Sequence, residues 1–302
     1  MIFATSPKGE AFETFPASPS GEVPSVSEAE GFLFLCKLSD LLIYSIKVRI
    51  KGEGRFHSDT DSFRVTMRRY ERMKIVIIHG QNHKGSTYHI AHALAEKTGG
   101  EVSEFFLPKD FGAFCVGCTQ CFIADETKCP HYHALQPITQ AIDAADLIIL
   151  ASPVYVFHAT GAMKALLDHY GYRWMVHRPF EGMFRKQAVC IATAAGSGMK
   201  SANKDMADSL FYWGVPKIYR YGKAIAATSW ETLSEAKKQR IDHDLDKLAA
   251  KITRHAGRVK TGLKTKAFFM LMRQLQKNGW NPADVQYWHE KGWTDKKRPW
   301  KD

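Results

Sequence analysis

Long apolar runs are missing from this chain: across 302 residues none approaches the roughly 20 consecutive apolar positions that a membrane-spanning helix requires. Evenly scattered cysteines are missing as well. Four of the six fall between Cys115 and Cys129, which is not the layout of a secreted disulfide scaffold. With no signal-peptide pattern either, a reducing cytoplasm is the expected compartment and membrane association is not expected. There is also no segregated basic stripe. Lys and Arg outnumber Asp and Glu by 42 to 31, a formal charge of +11, but they spread along the chain and concentrate only toward the tail. An anionic cofactor or substrate accounts for them as well as nucleic acid would, so no nucleic-acid partner is expected. Two nucleotide signatures are absent too, the Walker lysine pattern and G-x-G-x-x-G, which disfavours a bound triphosphate or a Rossmann-bound NAD.

What is present is enough apolar material, 45 % of residues with 12 % aromatics, to bury a full core. It is unevenly placed. Residues 1–24 mix Pro, Gly, Ser and Glu without periodicity, and up to Met73 the one apolar run is Leu38 to Ile50. Residues 1–72 are therefore expected to be a poorly ordered extension. Because Arg68-Arg69 stand where AGG-AGG codons would act as a ribosome-binding site, Met73 is the expected native start, a genuine N-terminal arm being the alternative.

After Met73 the periods alternate. Strand patterns at Lys74 to His79, Glu101 to Leu107, Leu147 to Ser152, Ala188 to Ala194 and Ile218 to Ala227 are separated by helical patterns at Thr87 to Lys97, Ala134 to Ala145, Thr160 to Tyr172, Lys200 to Trp213 and Trp230 to Ala256. Five βα units in succession predict an α/β domain over residues 73–257, a parallel sheet with helices on both faces. In such sheets ligands bind outside the carboxyl ends of the strands, where the winding direction reverses.

Three turns at those ends carry candidate chemistry. After the first strand, Gly80-Gln81-Asn82-His83-Lys84-Gly85-Ser86-Thr87 opens onto a helix N-terminus, where free N–H groups and the helix dipole favour an anion, and where Lys84 and His83 add charge. A plain helix cap at Ser86 or Thr87 is the competing reading. After the third strand, Ser152-Pro153-Val154-Tyr155-Val156-Phe157 places aromatics beside a proline, suited to wall a flat heteroaromatic ring. After the fourth, Thr193-Ala194-Ala195-Gly196-Ser197-Gly198 is a small-residue loop that lets backbone approach a planar ligand.

Taken together these turns resemble the flavodoxin-fold NAD(P)H-dependent FMN reductase and quinone reductase group, over about Met73 to Ala256. The group's G-S-P-R-K-G-N-T-like phosphate loop is matched by Gly80 to Thr87, with Gln81, Asn82 and His83 replacing Ser, Pro and Arg, and Ser86 replacing Asn. Its S-P-V-Y turn is matched in full by Ser152 to Tyr155, followed by Gly161 and Lys164. The resemblance implies a five-stranded sheet in the order 2-1-3-4-5. It also implies FMN with its phosphate on Gln81, His83, Lys84, Gly85, Ser86 and Thr87, and its ring between Pro153, Val154, Tyr155, Val156, Phe157 and the loop Thr193, Ala194, Ala195 and Gly196. NAD(P)H would be the hydride donor and a quinone, other small molecule or redox protein the acceptor, in a homodimer. No side chain is then expected to act as acid or base, since the flavin carries the chemistry. A non-enzymatic flavin-bearing electron carrier is the alternative.

A second motif is Cys115, Cys118, Cys121 and Cys129, a C-x2-C-x2-C-x7-C run. Four thiolates in one loop meet the ligand count of [4Fe-4S] or Zn. The run is similar to the compact cysteine motif of the iron-sulfur flavoproteins, a branch of the same group; thiols packed over the flavin or at a dimer interface are the other reading. His79, His83, His89 and His92 cluster along the first turn and helix; His89 and His92, at i and i+3, are expected to be surface or half-buried residues rather than metal ligands, and Cys190 core. Tyr170, Tyr172 and Trp174 either shape a substrate pocket or fill core or an interface. The tail, residues 258–302, joins a basic helix with an apolar face (Phe268, Phe269, Leu271, Met272, Leu275) to four of the seven tryptophans. It is expected to pack over its own domain or a partner subunit, the alternative being a membrane surface or an acidic partner.

Overall fold

In the computed structural model the described residues are 72–301 apart from 228, so the expected upstream extension and its Leu38 to Ile50 run lie outside them. Five strands, β1 (Lys74–His79), β2 (Glu101–Phe106), β3 (Leu147–Pro153), β4 (Gln187–Ala194) and β5 (Lys217–Ala224), form one sheet in the order β2-β1-β3-β4-β5. Every pairing is parallel. This is the flavodoxin-like order. The central strands read as continuous apolar runs because both of their faces are covered.

Alternation along each strand sends successive side chains to opposite faces. Val76, Ile78, Ile148, Leu150 and Cys190 meet α3 (Tyr132–Ala144), α4 (Gly161–Asp168) and α5 (Met199–Tyr212) through Ile138, Ile142, Met163, Leu166, Met206 and Leu210. On the other face Ile75, Ile77, Ile149, Val189 and Ile191 meet α1 (Ser86–Thr98) and α6 (Glu235–His255) through Ile90, Leu94, Ile241, Leu245 and Ile252. Because β1 has β2 on one side and β3 on the other, the winding reverses between β1 and β3, the place at whose carboxyl ends sheets of this kind bind ligands.

Two helices are shorter than their patterns suggest. The helix expected from Trp230 begins at Glu235, because Ser229 and Thr232 exchange side-chain and backbone hydrogen bonds in a turn of their own. The helix expected to reach Tyr172 stops at Asp168, where the His169 N–H has already shifted to the Leu166 carbonyl and a short 3-10 turn, Gly171–Arg173, follows.

The tail forms α7 (Leu263–Lys277) and α8 (Pro282–Glu290). Phe269, Trp288 and Trp293 bury themselves against Met175 and Phe184 of the same chain, with Phe268, Met272 and Trp300 packed around them. Leu271 does not join this face; it is 61 % exposed. Among the described residues no helix is long and apolar enough to cross a membrane.

Candidate functional site

The turn after β1 is stitched to the turn after β3. Gly80 N–H donates to the Ala151 carbonyl at 2.7 Å, and Thr160 Oγ1 donates to the Gly80 carbonyl at 2.6 Å. A Cβ at Gly80 would stand 2.8 Å from Thr160 Oγ1 and 2.9 Å from Ser152 Oγ, so the close approach requires glycine. Beyond it, α1 starts at Ser86 with Gly85 as its N-cap, and no side chain caps the helix. Its first N–H groups are therefore left for a ligand, as an anion site requires. Lys84 lies over the rings of Tyr88 and Phe106, at 5.2 and 5.8 Å from their centroids. His83 packs across Gly85, and Thr87 is buried.

The turn after β3 is a tight hairpin. Tyr155 and His158 exchange N–H to carbonyl bonds at 3.0 Å each, and the two residues between them, Val156 (φ 48°) and Phe157 (φ 66°), are both left-handed. A β-branched valine in that region is strained, and such strain collects at ligand-binding turns. The hairpin holds Val156 92 % and Phe157 61 % exposed, beside an exposed Tyr155. Tyr155 Oη donates to Gln81 Oε1 at 2.5 Å, tying this hairpin to the first turn. From below, Asp205 of α5 accepts from the Ala159 N–H at 3.2 Å and pairs with His158 Nδ1 at 3.0 Å.

The turn after β4 completes the set. Thr193 and Thr87 share a buried hydroxyl–hydroxyl bond of 2.6 Å, and the Val154 N–H donates to the Thr193 carbonyl at 2.8 Å. Gly198 (φ 94°) passes so close to the hairpin that a Cβ would meet Val154 Cγ1 at 2.6 Å. Ala195 and Gly196 are exposed, and a Cβ on Gly196 would meet open space. All three candidate turns thus meet at one edge of the sheet.

The chain matches the sequence profile of the NADPH-dependent FMN reductase family over residues 73–228. It belongs to that family. FMN reductases are flavin oxidoreductases that pair FMN with a nicotinamide. Among relatives, an iron-sulfur flavoprotein of Archaeoglobus fulgidus is 26 % identical over 160 residues, 52 % of this chain and 73 % of its own length. A solved NAD(P)H:quinone oxidoreductase from Methanothermobacter marburgensis is 15 % identical, with a TM-score of 0.48 over 59 % of this chain and 97 % of that one. A solved flavone reductase is 16 % identical, with a TM-score of 0.46, and the match spans 62 % of this chain and 64 % of that one.

The residues of this FMN reductase family member fit the cofactor. An uncapped helix N-terminus, hydroxyls at Ser86 and Thr87 and the cation of Lys84 suit a phosphate, and the exposed hairpin packed on Gly198 leaves a wall for a planar ring. The cysteine loop is a separate structure between β2 and α3. It bends at Gly117 (φ 67°) and Thr119 (φ 59°) into a single helical turn, α2 (Gln120–Ile123). Cys115 and Cys118 are exposed, while Cys121 and Cys129 are half-buried. Burial first, then the neighbouring thiols of Cys129, Cys115 and Cys118, push the Cys121 thiol up to about 11. Cys121 is thus within reach of the charge of the other three, and the four together match an iron-sulfur cluster in ligand number and chemistry. The tail grips this loop: Asn281 Nδ2 donates to the Phe122 carbonyl at 3.2 Å, and Arg178 donates to the Cys121 carbonyl while pairing with Asp284 of α8.

Three residues that sequence reasoning passed over also stand here. Asp205 carries no motif and is found only from the structure. His131 and His169 bring their Nδ1 and Nε2 atoms to 2.9 Å beside Cys129; the Cys129-Pro-His131 spacing was the available signal. His89 stacks on Trp230 and His92 pairs with Glu96, both structural roles. His79 is buried at the end of β1, stacked on Phe106 and 3.2 Å from Glu104, and burial holds its pKa below the usual histidine value against the pull of Glu104. Cys190, Tyr170 and Tyr172 are core, and Trp174 is half-buried against that core, stacked on Tyr212.

Proposed function

We propose that this protein is an FMN-dependent NAD(P)H oxidoreductase that passes electrons to a quinone, another small acceptor or a redox protein. The observation that carries the reading is the joining of three turns at one sheet edge by Thr160 to Gly80, Tyr155 to Gln81 and Thr87 to Thr193, around an uncapped helix N-terminus. Bound there, FMN supplies two-electron uptake from a nicotinamide hydride and release to the acceptor. His83, Lys84, Gly85, Ser86 and Thr87 then hold the phosphate, with Gln81 fixed by Tyr155. Pro153 to Phe157 and Thr193 to Gly196 would flank the ring. The protein's task is position and electrostatics. The same reading makes the reducing cytoplasm its location, in line with the free cysteines Cys115, Cys118, Cys121 and Cys129. A homodimer would cover the exposed Tyr155, Val156 and Phe157.

Fluorescence titration of FMN into flavin-free protein, followed by anaerobic addition of NADPH or NADH, tests the reading. Stoichiometric quenching of the flavin and bleaching of its absorption at a rate that supports turnover are the expected results; failure to bind FMN sinks the assignment, and binding without turnover leaves the electron-carrier alternative. The C-x2-C-x2-C-x7-C spacing, with Cys121 in reach of the other three thiols, favours a second reading, an iron-sulfur flavoprotein in which Cys115, Cys118, Cys121 and Cys129 would hold [4Fe-4S] and pass single electrons. Iron and acid-labile sulfide near four each per chain in anaerobically purified protein support it, and their absence removes it.

A further inference from the structure

We propose that Cys129, His131 and His169 form a mononuclear site for a divalent transition metal of the zinc type, distinct from the flavin turns. One ligand atom from each lies within 4.8 Å of the other two. Tetrahedral ligands at zinc distances sit about 3.3 to 3.6 Å from one another, so closing round an ion asks only for side-chain adjustments of about an ångström or less. The three come from three different anchored places. Cys129 ends the short turn Glu126–Lys128, His131 is the N-cap of α3 and His169 is the C-cap of α4. Both helices are pinned into the core, by Leu135 and Ile138 in one and by Leu166 and Leu167 in the other. His169 lies eight residues beyond Gly161, about 12 Å along the helix axis from the start of α4.

The hydrogen bonding sets the tautomers. His169 Nδ1 is 2.7 Å from the Ala165 carbonyl, which can only accept, so Nδ1 carries the hydrogen and Nε2 keeps a lone pair. That lone pair faces His131 Nδ1 at 2.9 Å, and in the metal-free chain His131 Nδ1 supplies the hydrogen between the two rings. A bound ion takes the place of that hydrogen, which moves by way of solvent to His131 Nε2, and of the Cys129 thiol proton, the one proton released. The Ala165 carbonyl then acts as the outer partner that orients a metal-bound imidazole. Elsewhere His79, His92, His158 and His177 each meet a carboxylate, Glu104, Glu96, Asp205 and Asp284. At His131 and His169 the neighbours are a second imidazole and a thiol, a nitrogen and sulfur donor set that suits zinc and its congeners. Phe111 stands edge-on to both rings, at 4.9 and 6.4 Å, as an apolar wall. Cys129 and His131 are half-exposed, which leaves a fourth position open to water.

Because Cys129 also belongs to the four-cysteine run, the test has to separate two metal sites. Cobalt(II) is titrated anaerobically into chelator-stripped full-length protein, since tetrahedral cobalt shows intense visible bands and a thiolate charge-transfer band. The paired variants are His131→Ala, and Cys115→Ser with Cys118→Ser, with the thermal unfolding midpoint of each metal-free chain as the check on folding; His169→Gln repeats the ligand test at the second imidazole. One cobalt per chain is expected in the wild type. The double cysteine variant should bind within about threefold of it, whereas His131→Ala should weaken binding by tenfold or more, in line with losses of 10 to 100-fold for weaker outer contacts. No cobalt bands in the wild type, wild-type affinity in His131→Ala, or loss of the site in the double cysteine variant each overturn the proposal, the last assigning the metal to the four-cysteine loop.

Discussion

Replacing Asp284 with Ala should cost this protein more than most single substitutions. Asp284 is fully buried on α8, where it pairs with Arg178 and accepts from His177 Nδ1 at 2.7 Å. Arg178 is itself buried and spends its remaining hydrogen bonds on the carbonyls of Cys121 and Phe122. Taking away the carboxylate leaves a guanidinium out of water with only neutral partners, and breaking a buried pair from one side costs about 3 to 5 kcal/mol. For a domain of this size each kcal/mol moves the unfolding midpoint by about 2 to 4 °C, so a fall of about 6 to 20 °C is expected. Asp284→Asn keeps the shape and one acceptor and should lose less. Removing both charges together, as Arg178→Met with Asp284→Leu, should recover much of the loss, because two desolvated charges are then no longer needed. Thermal unfolding followed by circular dichroism reads all four proteins.

The contact has a second, local readout. Arg178 and Asn281 both hold the backbone at Cys121 and Phe122, so loosening α8 should free the cysteine loop before the sheet melts. Alkylation of Cys121, monitored by peptide mass spectrometry, should accelerate in Asp284→Ala while protection of β1, β3 and β4 amides stays high. A midpoint within about 2 °C of wild type, together with unchanged alkylation, would refute the reasoning, because it would mean that Arg178 finds water or another anion at no cost.

Gly198→Ala should loosen the flavin edge: with φ at 94° and Val154 Cγ1 only 2.6 Å from the new Cβ, about 1 to 3 kcal/mol of strain is expected, seen as a lower midpoint and weaker FMN quenching. Cys121 should be among the slower of the loop's thiols to react with iodoacetamide at pH 8, since its pKa stands near 11, and equal rates for Cys115, Cys118 and Cys121 would contradict this. A raised folded value also means that the stability Cys121 contributes is complete below the unfolded thiol range and is lost as pH climbs from about 9 toward 11. His79 has the opposite sign. Its folded pKa is depressed by burial, so its contribution is present above the ordinary histidine value and lost as pH falls below it, and His79→Phe should flatten the acid side of the stability profile measured by urea unfolding.

The parts of this molecule that were legible in its sequence are those where one physical requirement dominates. Strands β1, β3 and β4 must be apolar on both faces, and their limits read to within a residue. Edge strand β5 is only half-buried, so its pattern runs on to Ala227, whereas the chain leaves the ladder after Ala224 and turns at Ala226 (φ 49°). The three turns at the strand ends were legible as tight turns because Gly, Ser, Thr and Pro sit where tight backbone needs them. What escaped was the contact made across the chain. Nothing local marks Asp205 as the anchor of the hairpin, and nothing marks His169, 38 positions after His131, as its partner. The tail's tryptophans announced burial but not its location, which depends on Met175 and Phe184 lying bare between α4 and β4.

The family match ends at residue 228, yet the sheet cannot be closed there. Beyond that point α6 supplies Ile241, Leu245 and Ile252 to the core on the α1 face, and all three are buried. At about 1.5 to 3 kcal/mol for each large aliphatic side chain, these three are worth about 5 to 9 kcal/mol. That is comparable with the whole stability of an ordinary domain, about 5 to 15 kcal/mol. A chain cut to residues 73–228 would also strip Gln187 Nε2 of the Ile252 carbonyl it reaches at 3.0 Å and Lys223 of its pairing with Asp244 at 2.9 Å. It should therefore fail to unfold cooperatively in urea, whereas residues 73–257 should retain a sheet and an unfolding transition but lose the grip of α8 on the cysteine loop. A sharp transition from the 73–228 fragment would show that α1 alone covers that face, and the core assigned here to α6 would have to be redrawn.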